Sequence, residues 1–246
     1  MEPLTLFLIA GLMFGGAILY ASVGHAGASA YLAIMALFAL PPEVMRPTAL
    51  VLNILVASIA TWRYARAGLF DWRLFWPFAV TAVPMAYVAG GISLPVEAFR
   101  PLLGVVLLLS ALRLLWPKRI RALGPTRAPR LPVALLAGAG VGALSGLVGV
   151  GGGIFLSPLI LFPGWAEPRT TSGTVAPFIL LVSASGLLGS LASVGQLPAE
   201  LPWFAFAVVA GGLVGTWLGA RQLSARGLLY VLAAVELLAA AKLLTS

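Results

Sequence analysis

The sequence predicts an all-α integral membrane protein made of two inverted-topology repeats of about five helical segments each. Composition is the first observation: 61% of the 246 residues are hydrophobic and 9% are charged, whereas a soluble domain carries about 25% charged residues. The mean hydropathy of +1.06 agrees. The second observation is the absence of long alternating polar and apolar strands, which an outer-membrane barrel requires. The third is that motifs of the first half return in order in the second half.

Five apolar segments are predicted in the first half, and charges, prolines and glycines separate them. Their approximate bounds are 4–20, 29–40, 48–62, 74–91 and 99–116. A glycine cluster ends the first segment, and two prolines, which cannot continue a helix, end the second. Charged residues separate the third, fourth and fifth. The second segment is short for a span of about 20 residues, so we expect it to be tilted, re-entrant or joined to the first as a bent helix.

The second half repeats this layout after a basic linker, residues 117–132. Its predicted apolar segments are 133–147, 154–162, 174–194, 203–220 and 228–244. The second of them is again short. We therefore divide the chain into a first membrane repeat, 1–116, the linker, 117–132, and a second membrane repeat, 133–246. The chain begins Met1-Glu2-Pro3, acidic rather than basic, so we expect a mature segment and not a signal peptide.

Matching residues support a duplication. Their ordered succession is more informative than any single match, because glycine and leucine are common throughout the chain. The aligned pairs are Gly24-His25-Ala26-Gly27 with Gly149-Val150-Gly151-Gly152, Gly68 with Gly195, Trp76 with Trp203, Gly90 with Gly219, and Leu112-Arg113-Leu114-Leu115 with Ala241-Lys242-Leu243-Leu244.

Positive charge in short loops indicates how the repeats are oriented. If each half crosses the membrane an odd number of times, twelve of the fifteen Lys and Arg residues fall on one side. An even number gives a weaker split of ten to five. We therefore predict inverted repeats in a cell inner membrane, with the linker cytoplasmic and both termini outside. Ten helices, or eight spans with two hairpins, both satisfy this count.

Both glycine clusters interrupt segments that are otherwise suited to spanning a membrane. In hydrocarbon, backbone freed from a helix must be satisfied by protein, water or ligand. A helix N-terminus exposes N–H groups and carries partial positive charge, and glycine lets a ligand approach closely. Paired breaks in the two halves of a transporter indicate its binding site. We therefore predict an anion site near the midplane at Gly24, Gly27, Gly149, Gly151, Gly152 and Gly153.

Helix packing through small residues is the alternative explanation for glycine in such segments. We assign that role to Gly138, Gly142 and Gly146, which follow a four-residue spacing. Packing alone explains three successive glycines poorly, because each costs roughly 1 kcal/mol against alanine in a helix.

At this point the chain resembles a known family. The run Gly149-Val150-Gly151-Gly152-Gly153-Ile154-Phe155-Leu156-Ser157-Pro158-Leu159 is similar to the glycine-rich signature of the TauE/SafE sulfite exporter family, also called the TSUP family. The run Val23-Gly24-His25-Ala26-Gly27-Ala28-Ser29 looks like its first-half copy. The resemblance implies secondary transport of sulfite, sulfoacetate or another organosulfonate. This chain departs from the pattern at His25 and Ala26, where the family is richer in glycine, and that departure concerns the substrate more than the fold.

Polar side chains near the two breaks are further candidates for substrate binding. His25, the only histidine, can donate to an oxyanion or carry a proton, since its unperturbed pKa is about 6.5; a purely structural histidine is the alternative. Asn53 and Thr174 carry neutral donors suited to a sulfonate. Hydrogen bonding between helices is the alternative interpretation. Ser29 and Ser157 follow the two breaks directly.

Charged residues inside or beside the apolar segments have different interpretations. Arg46 and Arg169 precede the third segment of each half and are read as interfacial anchors. Glu236 lies deep in an apolar segment, where a carboxyl is costly unless it is neutral or paired. It is a candidate proton-coupling group, and a neutral carboxyl bonded to a neighbouring helix is the alternative.

The sequence favours a secondary transporter that binds a small sulfur-containing anion and works by alternating access. Alternatives are an anion transporter for a non-sulfur carboxylate, a membrane-embedded enzyme, and an accessory subunit without transport activity. An enzyme is not predicted, because no cysteine and only scattered acids accompany the single histidine. We expect no metal, cofactor or nucleic acid. The expected partners are the anion, the lipid bilayer and, as an open alternative, protons; the sequence leaves the oligomeric state open.

Overall fold

Ten α-helices make up the regular structure of the residues that the computed structural model describes, which are 2–115, 129–190, 197–220 and 226–245. Two stretches named in the sequence analysis lie outside these ranges. They are residues 116–128, which include most of the predicted linker, and residues 191–196, which include Gly195 and the end of a predicted apolar segment. The helices are α1 (Pro3–Ala21), α2 (Ala28–Leu37), α3 (Pro42–Arg66), α4 (Trp72–Gly90), α5 (Val96–Leu115), α6 (Leu131–Val148), α7 (Gly153–Leu161), α8 (Pro168–Gly189), α9 (Leu201–Ala220) and α10 (Arg226–Thr245).

Five of these helices are long and apolar enough to cross a membrane: α1, α3, α6, α8 and the first nineteen residues of α9. α2 is apolar but has 10 residues, and α7 has 9. At a rise of 1.5 Å per residue, each of these two reaches about 15 Å, half of a hydrocarbon core. The all-α membrane class predicted from the sequence is therefore confirmed.

Two helix starts differ from the sequence prediction. α3 begins at Pro42 and α8 at Pro168, against predicted starts at 48 and 174. Proline is favoured in the first turn, because its missing N–H would have no partner there and its φ is already helical. The predicted starts were placed after Arg46 and Arg169, because charged residues were taken to lie outside the apolar segments. In the structure Arg46 is buried inside α3, as described below.

Glycines let two pairs of helices touch backbone to backbone. A Cβ at Gly142 in α6 would collide with the Ala82 carbonyl of α4, and one at Gly215 in α9 with the Ile18 carbonyl of α1. The role that the four-residue spacing predicts for α6 is confirmed, and α9 uses the same device against α1. Residue numbers rise together across both contacts, so each pair is parallel. The contacting glycines are Gly138, Gly142 and Gly146 in α6, and Gly211, Gly215 and Gly219 in α9.

The two short helices lead to opposite ends of the bundle. At the end of α2, the carbonyls of Ala36 and Leu37 accept hydrogen bonds of 3.0 Å from Lys242 near the end of α10. The start of α3 lies at this same end, beside Lys242 in a shared cavity. After α7, Trp165 instead contacts Phe78 near the start of α4, with ring centroids 6.0 Å apart. α2 and α7 therefore diverge from the interior towards opposite faces.

Candidate functional site

The chain leaves the helical conformation between α1 and α2, and again between α6 and α7. Left-handed glycines begin both short helices: Gly27 precedes α2 with φ of 109°, and Gly152 precedes α7 with φ of 77°. Neither residue supplies a side-chain cap. The N–H groups of a first helical turn have no carbonyl partner within the helix. Both short helices therefore begin with backbone donors that a ligand can use.

His25 connects the two irregular segments. Its Nδ1 lies 3.1 Å from the carbonyl oxygen of Val23, in its own segment. Its Nε2 lies 3.1 Å from the carbonyl oxygen of Gly153 and 2.8 Å from the hydroxyl of Ser157, both in α7. The imidazole thus holds the start of α7 against the segment before α2. This contact brings together His25, Gly153 and Ser157, three of the predicted site residues.

A small cavity lies where the two short helices begin. Its volume is about 10 Å³, which is roughly room for one water molecule and less than a sulfonate needs. The conformation is therefore closed around this point. Five predicted site residues line the cavity, together with Tyr20 and apolar neighbours: His25, Gly27, Ser29, Asn53 and Gly153.

Asn53 reaches this cavity from α3. Its side chain is 1% exposed, and Nδ2 donates to the Val150 carbonyl at 3.3 Å and to the Ser183 hydroxyl at 3.2 Å. The Oδ1 atom has no hydrogen-bond partner. A buried acceptor without a partner is uncommon and calls for an explanation. The amide nitrogen of Asn53 is thus bonded to protein, and the amide oxygen can still accept a hydrogen bond.

Other predicted glycines support the site without lining the cavity. A Cβ at Gly24 would collide with Ser172 of α8, and one at Gly149 would crowd Arg46. Gly151 lies against Asn53 and Ser183, whereas Gly152 lies against core side chains. These positions let the irregular segments pass close to neighbouring helices.

Thr174 lies away from the cavity. It is fully buried in α8, its hydroxyl has no hydrogen-bond partner, and it does not line the cavity. The geometry therefore gives Thr174 no direct place beside the two helix starts, although it lies in the segment of the second half that matches the segment of Asn53.

Arg46 has a role that differs from the expected interfacial anchor. Its side chain is buried, and its guanidinium donates to carbonyls at the end of α4: Ile92 at 2.9 Å, Ala89 at 3.5 Å, and Gly90. The last carbonyls of a helix lack intrahelical donors and carry partial negative charge. Arg46 therefore caps α4 through hydrogen bonds from its guanidinium to backbone carbonyls.

Glu236 lies in a buried cluster of hydroxyls next to the cavity. The Tyr20 hydroxyl donates to Oε1 of Glu236 at 2.6 Å, and the Ser29 hydroxyl donates to Tyr20 at 2.6 Å. Ser110 donates to Ser29 at 3.2 Å. Glu236 is 0% exposed, and its Oε2 has no hydrogen-bond partner. Sequence reasoning found Glu236 and Ser29 separately, and only the structure joins them.

Sequence reasoning missed Tyr20, Ser110 and Ser183 as members of the site. Each is a polar side chain inside an apolar segment, which is the same signal that selected Asn53 and Glu236. Within the described residues, no group of three or more His, Cys, Asp or Glu side chains is placed to hold a metal ion.

Comparisons with known proteins agree with this architecture. The family model described as "Sulfite exporter TauE/SafE" matches residues 7–243. A "Probable membrane transporter protein y4hK" from Sinorhizobium fredii (strain NBRC 101917 / NGR234) is 39% identical over 231 residues, which cover 93% of this chain and 94% of that protein. No solved structure matches the chain. A match across nearly the whole length places the protein among membrane transporters rather than enzymes. The chain belongs to the TauE/SafE sulfite exporter family.

Proposed function

We propose that the protein is a secondary transporter that moves a small sulfur-containing anion across the cell inner membrane by alternating access. The observation that carries this proposal is the meeting of two uncapped helix starts, those of α2 and α7, around one closed cavity. The N-terminus of each helix is positive, and the two fields add at the point between them.

The chemistry of the cavity suits an anion held by neutral donors. Among the described residues that line it, none is Lys or Arg. The imidazole of His25 and the amide of Asn53 line it. Their nitrogens now contact protein oxygens, so donation to an oxyanion requires the anion to replace those partners. Fixed N–H donors in a water-poor site bind charge more strongly than the same groups in water. An anion held in this way forms no ion pair with a residue that lines the cavity, which favours release on either side.

Inverted repeats fit the way in which the helices pair. If α1–α5 correspond to α6–α10, the contact of α1 with α9 becomes the contact of α6 with α4, and both are observed. The contacts of α2 with α3 and of α7 with α8 form a second such pair. We infer repeats 1–116 and 133–246, joined by the linker 117–132, with the two glycine-rich breaks near the midplane.

Cavities with basic residues lie at both ends of the bundle, and we infer that they are vestibules through which the anion reaches the closed cavity. One, of about 400 Å³, contains Arg100 and Lys242 with Glu43, at the end of the bundle where α3 begins. The other, of about 220 Å³, contains Arg63 and Arg169 at the end where α3 finishes. Arginines in a cleft raise the local concentration of anions. By the positive-inside rule, we infer that the Arg63 end and the linker are cytoplasmic and that both termini are outside.

We infer which contacts open first on the side proposed to be cytoplasmic. Between the Arg63 vestibule and the cavity, the Ser172 hydroxyl donates to the Val23 carbonyl at 2.7 Å. The Tyr64 hydroxyl donates to the Ser22 carbonyl at 3.2 Å beside it. Movement of α3 and α8 away from the end of α1 would break both bonds and join the vestibule to the cavity. Rocking of one repeat against the other provides such a movement.

The sulfur anion follows from the family, whose name is that of sulfite exporters. Sulfite and sulfonates present three oxygens in a tripod, and two converging helix starts offer several N–H groups to such a shape. A carboxylate presents two oxygens in one plane. We therefore expect sulfite or a sulfonate to be preferred over a carboxylate of the same size.

Flux measurements with purified protein in liposomes test the proposal. Labelled sulfite and sulfoacetate are compared with malonate, which replaces the sulfonate of sulfoacetate by a carboxylate. We expect exchange of at least one sulfur anion, and malonate exchange at least tenfold slower. Asn53→Leu, which keeps the approximate volume but removes the amide, should lower flux at least tenfold. Ser58→Ala removes an exposed hydroxyl from the same helix and should leave flux unchanged.

Three results would contradict this assignment. Liposomes that exchange neither sulfur anion exclude the transport proposal and favour an accessory subunit. Faster exchange of malonate than of sulfoacetate shows a carboxylate transporter. Chemical conversion of either sulfur anion in detergent, where no compartments exist, shows an enzyme.

A further inference from the structure

Glu236 is a carboxyl buried inside the membrane part of the protein. It is 0% exposed, and one of its oxygens has no hydrogen-bond partner. A carboxylate in this position is costly, and ionisable residues inside membrane helices mark proton relays and ion pathways. Anion binding between α2 and α7, as proposed above, makes no direct use of this group. The carboxyl therefore needs its own explanation.

Three hydroxyls contact one another beside this carboxyl, and that of Ser110 also lies 2.9 Å from the hydroxyl of Tyr20. Ser110 donates to Ser29, Ser29 donates to Tyr20, and Tyr20 donates to Oε1 of Glu236. The last two bonds are both 2.6 Å long. Short O–H···O bonds in a water-poor interior are the geometry in which protons pass between neighbours.

Two residues of this hydroxyl cluster also line the proposed anion cavity. Tyr20 and Ser29 both line that cavity. The ring of His25 lies beside Tyr20, with centroids 6.2 Å apart. A single hydroxyl group, that of Tyr20, therefore links Glu236 to the place where the anion is proposed to bind.

We propose that Glu236 is the proton-binding group of the transporter and that it exchanges its proton with the anion cavity through Tyr20 and Ser29. This proposal rests on the function proposed above. It deepens that function by making the transport cycle a symport of one proton with the anion.

The proton balance of the relay is simple. A hydronium ion entering the opened cavity gives one proton to the Ser29 oxygen and leaves as water. Ser29 passes its own proton to the Tyr20 oxygen, and Tyr20 passes its own to Oε1. Both hydroxyls are neutral again, and the carboxylate has become a carboxylic acid. Release on the other side of the membrane runs the same steps in reverse.

Electrostatics then link the proton to the anion. A negative substrate beside Tyr20 repels a carboxylate at Glu236 and favours its protonated form. By reciprocity, a protonated Glu236 binds the anion more tightly by the same factor. Proton and anion therefore occupy the closed state together and cross together.

Three other charged or titratable groups lie on α10 or on helices packed near it. From α5, Arg113 lies near Tyr20 and His25 and interacts with both electrostatically. On α2, the Tyr31 hydroxyl donates to the Ala26 carbonyl, and on α10 itself Lys242 donates to the end of α2. Among the described contacts, Glu236 is the acid in reach of the hydroxyl cluster.

Liposomes that contain a pH-sensitive dye test the coupling. An inward gradient of sulfite or sulfoacetate is applied, and proton entry is compared with labelled anion exchange at equal pH. Glu236→Gln mimics the protonated acid, so we expect exchange to persist while proton entry falls at least tenfold. The difference between wild type and this variant separates the protein's proton from any that the anion carries. Tyr20→Phe should slow proton entry similarly, and Glu97→Gln, an exposed acid on α5, should change nothing.

The outcomes separate this proposal from the function on which it rests. Wild-type protein that exchanges neither anion overturns both. Exchange with equal proton entry in wild type and Glu236→Gln overturns the coupling and leaves the transport function standing. If Glu236→Gln fails to fold, the Tyr20→Phe variant decides, and wild-type proton entry in that variant overturns the relay.

Discussion

Gly151→Ala tests whether the second irregular segment holds Asn53 in place for the substrate. Gly151 has φ of 76°, and a Cβ there would collide with Nδ2 of Asn53 and lie 2.7 Å from the Ser183 hydroxyl. Alanine must therefore push the carboxamide away from Val150 and Ser183. Gly164 is the matched control, because it has φ of 72° and open space around the Cβ position.

The expected magnitude follows from two separate costs. A non-glycine residue in the left-handed region costs about 1–2 kcal/mol, and both variants share this cost. Displacing Asn53 breaks two neutral hydrogen bonds, worth about 0.5–1.5 kcal/mol each, in Gly151→Ala alone. Anion binding that requires the native position of the carboxamide must recover these bonds, so the difference of about 1–3 kcal/mol corresponds to roughly 5- to 150-fold weaker anion binding in Gly151→Ala than in Gly164→Ala.

Binding of sulfite or sulfoacetate to purified protein is measured by isothermal titration, with thermal unfolding in detergent as a check on folding. We expect both alanine variants to remain folded, with dissociation constants separated by the factor above. Equal dissociation constants for the two variants would refute the reasoning, because the backbone strain is shared and only the collision differs.

Three further predictions concern the surrounding structure. His25→Ala and Ser157→Ala should be non-additive in thermal unfolding by about 0.5–3 kcal/mol, since each removes the other's partner; additive effects would show that the 2.8 Å contact contributes nothing. Gly142→Ala should destabilise the protein by about 1–3 kcal/mol, because its Cβ meets the backbone of α4. In contrast, Gly140→Ala, with nothing within 4 Å, should be neutral or stabilising. Arg46→Ala should lower the free energy of unfolding by about 2–4 kcal/mol by removing the cap of α4, and a melting curve like that of wild type would contradict this role.

The sequence predicts the membrane class and most helix positions because both depend on local properties. Apolar length, charge spacing and proline punctuation act within one segment, and they located all ten helices to within a few residues in most cases. The starts of α3 and α8 were missed because Arg46 and Arg169 were read as boundaries, although both lie inside these helices. Whether Arg46 faces water or the end of α4 depends on a neighbouring helix, which no local pattern contains.

The candidate site was predictable in kind and only partly in detail. The glycine clusters marked the segments that break, since glycine is the residue that adopts a positive φ without steric cost. Asn53 and Thr174 were both selected as polar side chains in the third segments of the two halves. The fold brings Asn53 to the cavity and leaves Thr174 elsewhere, because helix packing, which no local pattern contains, decides the face on which each side chain lies.

By itself, the sequence determined an all-α membrane protein, the two glycine-rich segments and the family, because composition, periodicity and a contiguous motif carry that information. Only the tertiary structure decided which polar groups meet. Ser157 contacts His25 across 132 positions, and Glu236 contacts Tyr20 across 216. Such bonds form in a membrane interior because no water competes for a buried polar group, so each one must find its partner on another helix. That pairing is set by helix packing, and it joins an isolated acid to hydroxyls that line the cavity between the two short helices.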